Sequence, residues 1–264
     1  MQVNDNVVVI TGGASGIGEA VAKDLAKLGA KIVLGDVNQE GLDRVVAEIE
    51  AAGGQAIGVA GNITNEDDVG ALMDAALAKF GAINVVFANA GIISDGLMIS
   101  TDREGKVKSV MSTDSFRKVI EVNLVGAFLT VRESVRRMVD NQCKGVVILT
   151  SSINHTGQPG QINYSSTKAS LALWPKILCG EFQMRGIRDV RVVAIAPGYT
   201  ATPLLLGMNQ EALAAIIKDV HIGRLVEPAE ISSAIRHIIE NEAIDATTIE
   251  VTGGTTYGAR QRAK

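Results

Sequence analysis

Short β-branched runs alternate with longer amphipathic stretches along the whole chain, and this alternation constrains the fold more than any single motif. Strands are expected at Val7–Ile10, Lys31–Leu34, Ala56–Ala60, Val85–Ala88, Val146–Thr150, Val190–Ala196 and Thr248–Val251. Helices are expected at Ile17–Leu28, Gln39–Ala52, Glu66–Phe80, Ser115–Asn141, Tyr164–Arg185 and Pro228–Glu240. In the third helix Thr64 is the expected N-cap, with Asp67 closing a capping box. Strands and helices in strict alternation predict an α/β, doubly wound Rossmann fold: a seven-stranded parallel sheet with helices on both faces. The strands are apolar throughout, as strands covered on both faces must be. Hydrophobic residues make up 47% of the chain but aromatics only 3%, so the core is aliphatic. No linker or repeat divides residues 1–264, which predicts one domain.

Two segments break the alternation. Ile92–Ser112 and Thr200–Gly223 are long loops that follow strands, the second with a short helical pattern at Asn209–Asp219. Loops at that end of an open sheet are where ligands bind. Pro175 stands inside an expected helix and predicts a kink or a lost hydrogen bond.

Charge excludes some partners. The net charge is -4, with no basic footprint for nucleic acid beyond the tail Arg260, Arg262 and Lys264, read as a solvated end. No apolar run is long enough for a membrane span, and the N-terminus lacks a signal-peptide pattern. Cys143 and Cys179 have no metal-type spacing, and His155, His221 and His237 are scattered, so no metal is expected. A cytoplasmic location is the expectation.

The first strand runs into Thr11-Gly12-Gly13-Ala14-Ser15-Gly16-Ile17-Gly18 and then a helix. Gly12 permits the tight turn, while Gly16 and Gly18 lack the Cβ that would hold a pyrophosphate away from the helix N-terminus. Asp36 ends the second strand, 18 residues after Gly18, where a carboxylate accepts hydrogen bonds from the adenosine ribose and repels a 2′-phosphate. With Ser at 15, Val at 37 and Asn at 38, no cation offsets that repulsion, so the cofactor expected is NAD.

Tyr164 and Lys168 lie one helical turn apart. An ammonium beside a phenol, together with the positive nicotinamide ring, favours the phenolate, which makes Tyr164 a workable acid/base. Ser151, 13 residues before Tyr164, could hold the substrate oxygen.

Taken together, Thr11–Gly18, Asn89-Ala90-Gly91, Asn123, Ser151, Tyr164, Lys168 and Pro197-Gly198 resemble the short-chain dehydrogenase/reductase family over nearly the whole chain. The resemblance implies Tyr164 as proton donor or acceptor, and Lys168 on the nicotinamide ribose. It implies Ser151 on the substrate oxygen, and Asn123 holding a water that links Lys168 to solvent. Gly12, Ser15, Gly16, Ile17 and Gly18 would cradle the dinucleotide. Asn62 and Ile63 would meet the adenine, with Asn62 where the family has Asp. Asn89, Ala90 and Gly91 would pass beneath the cofactor. Pro197, Gly198, Thr200 and Thr202 would seat the carboxamide. Asn154 replaces a common Gly, and the Ile92–Ser112 loop is longer than usual.

Ile153, His155, Gln158, Tyr199 and Met208 flank this set and are candidate substrate contacts, with His155 either assisting or a hydrogen-bonded loop residue. The family also implies a homodimer or homotetramer joined through the two long helices, with Trp174 either at that contact or in the core. The activity expected is NAD-dependent oxidoreduction of a secondary alcohol or carbonyl. The rival readings are a non-catalytic dinucleotide-binding protein, and an epimerase or dehydratase of the longer related branch.

Overall fold

Strands that are apolar on both faces need cover on both, and the arrangement of the helices provides it. The computed structural model describes residues 1–255; the basic tail at Arg260, Arg262 and Lys264 lies outside the described residues. In chain order the elements are β1 (Val7–Thr11), α1 (Gly16–Lys27), β2 (Lys31–Asp36), α2 (Gln39–Ala51), β3 (Gln55–Ala60), α3 (Glu66–Phe80) and β4 (Val85–Ala88). Then come β5 (Ile99–Thr101), β6 (Val107–Val110), α4 (Thr113–Ile120), a π-helical segment (Glu121–Val125) and α5 (Gly126–Asp140). β7 (Gly145–Thr150), a 3₁₀ turn (Ile153–Thr156), α6 (Ile162–Arg185) and β8 (Val190–Pro197) follow. The last are α7 (Pro203–Leu206), α8 (Gln210–Lys218), α9 (Pro228–Glu240) and β9 (Thr247–Val251).

The main sheet has the order β3-β2-β1-β4-β7-β8-β9, and every pairing in it is parallel. The pleat sorts its side chains into two cores. Val8, Ile10, Ile32, Leu34, Phe87, Ile148 and Ile195 face one side with residues of α1, α2 and α9. Val7, Val9, Val33, Val86, Val147, Leu149 and Val192 face the other with residues of α3 and α5. The strand order reverses between β1 and β4, which opens a crevice at their C-terminal ends.

Close strand packing at the opposite end depends on Gly145. Asn84 joins three strands there: its side chain accepts from Val7 N at 3.0 Å and its carbonyl from Val146 N at 2.8 Å. A Cβ on Gly145 would lie 1.9 Å from that carbonyl. Gly145→Ala is therefore expected to cost about 3 kcal/mol, read as a lower urea midpoint with the slope unchanged.

Local details depart from the sequence expectation. The cap of α3 is Asn65, not Thr64: its amide oxygen accepts from Asp67 N at 2.8 Å and Asp68 N at 3.3 Å, so Asp67 closes no box. The expected loop Ile92–Ser112 contains the antiparallel β5–β6 hairpin, turned by Asp102, whose carboxylate accepts from Glu104 N and Lys106 N. The long helix expected at Ser115–Asn141 starts at Thr113 and widens into the π-helical segment around Asn123. α6 runs on through Pro175. Trp174 packs partly buried against the second core.

Candidate active site

The crevice is built from its floor upward. Thr11, at the end of β1, pairs in register with Ala88 at the end of β4. Its hydroxyl accepts from Asn89 N at 3.1 Å and Ala90 N at 3.3 Å. The Asn89 amide donates back to the carbonyls of Thr11 and Gly12. The glycine loop and the Asn89-Ala90-Gly91 turn are thereby fastened together.

Glycine is required on both sides of that seam. A Cβ on Gly18 would lie 2.1 Å from the Gly12 carbonyl, and one on Gly12, at φ +69, would lie 2.9 Å from the Ala90 Cα. Ser15 is the N-cap of α1 but makes no side-chain cap bond. Asp36 accepts from Ala14 N at 3.2 Å and Asn38 N at 3.0 Å, which ties the loop to the end of β2. Beyond it Val37 is 73% exposed. The nearby cations are already neutralised: Arg44 pairs with Glu19 and Glu48, and so does Lys23. Those ion pairs hold the Glu19 carboxyl down at about 2.

Beyond the end of β3, Asn62 Oδ1 accepts from Thr64 N at 3.0 Å and its main-chain N–H donates to Asp68 at 2.8 Å. The Ile63 side chain turns inward against Gly126. At the other end Gly198 N–H donates to Val251 O, and a Cβ on Gly198 would lie 2.8 Å from the Thr252 Cα. Pro197 closes β8 and Thr200 bridges to Val226. The Thr202 methyl would stand 3.5 Å from a Cβ on Gly16. Of the residues expected to bind the dinucleotide, Gly12, Gly18, Asn89 and Ala90 meet at the ends of β1 and β4, Thr202 lies against Gly16, and Ile63 is turned away into the core.

Tyr164 and Lys168 lie in the first two turns of α6, with the ammonium 5.4 Å from the phenol ring centroid. Lys168 is 3% exposed and donates to Thr150 O at 2.7 Å. The burial pulls its pKa down to about 8. Tyr164 moves the other way: burial pushes the phenol up, the Ser152 side chain pulls it down, and the Asp95 charge adds to the rise. In the protein alone burial therefore outweighs the depression expected from Lys168.

The structure turns the two adjacent serines in different directions. Ser151 is buried and spends its hydroxyl proton on the Lys168 carbonyl at 2.8 Å. The Ser152 side chain lies close enough to the Tyr164 phenol to pull its pKa down. Its oxygen accepts from Asn154 N at 3.1 Å, which leaves its own proton to donate. Adjacent residues of an extended chain point to opposite sides, so a spacing count of 13 could not choose between them.

Asn123 stands near Lys168: a Cβ on Gly91 would lie 3.2 Å from Asn123 Oδ1 and 3.7 Å from Lys168 Nζ. The Asn123 amide is used on Ile92, accepting from the N–H at 2.7 Å and donating to the carbonyl at 2.9 Å, so it braces the loop after β4. The π-helical widening carries it there, as such bulges commonly do at functional sites.

Of the flanking residues, Ile153 is buried and Tyr199 accepts from Val226 N. Met208 is 39% exposed in the segment after α7. The His155 ring is held between Ser152 O at 2.6 Å and Glu250 at 3.8 Å. Gln158 lines an outer cavity of about 430 Å³ with Gly96, Met98 and Ile162, apart from Ser152, Tyr164 and Lys168. Sequence reasoning missed Ser152, Asp95, Gln161 and Asn163; the last is fully buried and ties Ser94 O to the start of α6. Among the described residues no three His, Cys, Asp or Glu side chains converge to hold a metal ion, and no helix is long and apolar enough to cross a membrane.

Burying an ammonium without a counter-charge costs stability. Below pH 8 the native state carries the full penalty, worth about 3 kcal/mol. As pH rises through about 8 the folded protein loses that proton before the unfolded chain does, and the penalty fades toward pH 10.5. Lys168→Met is accordingly expected to raise the melting temperature at pH 7 and to flatten the rise in stability between pH 8 and 10.

The family model for short chain dehydrogenase matches residues 6–212. The chain belongs to the short-chain dehydrogenase family. It is 35% identical to cis-4-hydroxycyclohexanecarboxylate dehydrogenase of Sinomonas cyclohexanicum over 96% of this chain and 97% of that one. It is 34% identical to a 3-oxoacyl-[acyl-carrier-protein] reductase of Synechocystis over 94% and 96%. It is 32% identical to 2,5-dichloro-2,5-cyclohexadiene-1,4-diol dehydrogenase of Sphingobium indicum over 96% of each. The crystal structure of a short-chain dehydrogenase/reductase from Mycobacterium marinum shares the fold, with a TM-score of 0.83 and 24% identity over 97% of both chains. This short-chain dehydrogenase is thus an oxidoreductase with a Rossmann fold.

Proposed function

We propose that this short-chain dehydrogenase interconverts a secondary alcohol and its carbonyl with NAD(H). The observation that carries the reading is Lys168 lying against Tyr164, with Ser152 acting on the phenol, next to the Asn89-Ala90-Gly91 turn that the glycine loop holds. A non-catalytic binding protein has no use for that set. The residues fit the cofactor: Gly12 and Gly18 let the loop close against the Asn89-Ala90-Gly91 turn, a Cβ on Gly16 would meet nothing nearer than Thr202 at 3.5 Å, and Asp36 offers a carboxylate with no free cation near it among the described residues. The bound nicotinamide would supply or accept the hydride.

The chain's own residues do the rest. Ser152 donates to the substrate oxygen, and Tyr164 delivers or removes the hydroxyl proton. Lys168 holds the nicotinamide ribose and opposes the rise of the phenol pKa. Ser151, through the Lys168 carbonyl, and Asn123, through Ile92, position these groups. Tyr164 must lose its proton to oxidise and hold it to reduce, so oxidation quickens and reduction slows as pH rises.

Relatives named as dehydrogenases of a hydroxycyclohexanecarboxylate and a cyclohexadiene diol, and as a 3-oxoacyl reductase, agree with hydroxyl–carbonyl chemistry. A homo-oligomer fits the same reading. Leu173, Ile177 and Met184 are exposed at helical spacing on α6, as are Phe128 and Val139 on α5. The test is an oxidation screen of cyclic and acyclic secondary alcohols with NAD and NADP, with Tyr164→Phe as control. NAD-linked turnover lost in the variant supports the reading; NADP-linked turnover, or turnover kept by the variant, overturns it.

A further inference from the structure

The carboxylate that meets the adenosine ribose in the proposed reading has a cation for a neighbour. Asp36 accepts from Ala14 N–H at 3.2 Å, and Arg44 Nη2 donates to the carbonyl of the same residue at 3.1 Å. Ala14 is 4% exposed and packs against Gly41, where an added Cβ would stand 2.8 Å from the Ala14 Cβ. One buried residue thus links the carboxylate and the guanidinium.

A guanidinium so close to a ribose site is the usual partner of a 2′-phosphate. In this chain it is already engaged. Glu19, in the first turn of α1, holds Arg44 in a two-pronged pair, with Nη1 at 2.7 Å and Nη2 at 2.6 Å. Glu48, one turn beyond Arg44 in α2, accepts from Nη1 as well at 3.0 Å. Lys23, one turn beyond Glu19 in α1, pairs with both acids. The four charges sum to zero.

An isolated exposed ion pair is worth little. This one is bidentate, part of a network, and its carboxylate side chain is only 19% exposed, which is the strong kind. The free N–H groups at the start of α1 favour a carboxylate there further. Arg44 holds the Glu19 carboxyl at about 2, so the pair stays charged at neutral pH. Bracing α1 against α2 does not call for that charge, since an amide oxygen at position 19 would still accept from Arg44. What the charge adds is competition. A 2′-phosphate arriving at Asp36 must draw Arg44 away from two carboxylates before it gains a counter-ion.

We propose that Glu19 is a specificity-determining residue for the cofactor: its two-pronged pair with Arg44 withholds the guanidinium beside the ribose site, and leaves a 2′-phosphate site latent in the chain. Asp36 repels the phosphate, and Glu19 denies it a partner. This rests on the proposed NAD(H) reading and deepens it.

The test titrates NADH and NADPH, by the fluorescence of the reduced nicotinamide, into the wild type, Asp36→Ala, the double variant Asp36→Ala/Glu19→Gln, and that double variant with Arg44→Met added. Glu19→Gln removes the charge but keeps an acceptor for Arg44. In the Asp36→Ala background it should tighten NADPH by about tenfold, with NADH little changed. Arg44→Met should cancel that gain, and high salt should shrink it. Glu48→Gln, on an exposed side chain, should move NADPH the same way by less. A Glu19→Gln change that weakens both nucleotides alike, or leaves NADPH unmoved, marks Glu19 as a brace and overturns the proposal. So does a gain that survives Arg44→Met. A wild type that binds neither nucleotide, or prefers NADPH, overturns the NAD(H) reading itself, and the proposal with it.

Discussion

Replacing Tyr164 with Phe is expected to lower kcat/KM by about 10²- to 10⁴-fold, the usual worth of one positioned acid/base. The substitution removes the oxygen alone. The bonds that seat the residue are made by its main chain: Tyr164 N–H donates to Asn163 Oδ1 at 2.8 Å, and Thr167 donates to Tyr164 O at 2.7 Å. The fold and the affinity for the dinucleotide should therefore survive, and the loss should fall on kcat. A variant that keeps its rate would mean that the proton travels by another route.

Asp36→Ala is expected to weaken NADH binding by about 10²-fold and to erase discrimination against NADPH. Hydrogen bonds from two ribose hydroxyls to a carboxylate are worth about 1.5–3 kcal/mol each, and every 1.4 kcal/mol is about tenfold. The carboxylate also ties Ala14 to Asn38, so Asp36→Asn, which keeps an acceptor, should lose less affinity than Asp36→Ala. Equal losses in both would point to the loop connection and away from ribose recognition. NADPH gains nothing further, because Arg44 and Lys23 remain committed to Glu19 and Glu48.

Much of this was legible in the sequence because strand burial and glycine geometry are local. Continuous apolar runs such as Val7–Ile10 and Val146–Leu149 declare strands covered on both faces, and the observed sheet uses each of them. Gly18 cannot be anything else beside the Gly12 carbonyl, so a spacing pattern identifies it.

What the sequence hid depends on direction or on distant partners. Ser151 and Ser152 differ by one residue, yet one points beneath α6 and the other at Tyr164. The π-helical widening at Asn123 answers a backbone group 31 residues earlier. Asp95 meets its hydrogen-bond partner only once Gln161, 66 residues later, is folded against it. The β5–β6 hairpin read as a loop because its strands are short and wholly or largely exposed, so no apolar alternation marks them. The burial that raises the phenol pKa was hidden for a similar reason: a charge four residues away is visible in a sequence, whereas burial is not.

Titrating the wild-type protein with NADH and NADPH, by the fluorescence of the reduced nicotinamide, needs no knowledge of the substrate and meets the central claim directly. With Asp36 proposed at the ribose and no unpaired cation beside it among the described residues, NADH should bind at least about tenfold more tightly. Equal or tighter binding of NADPH would contradict the account.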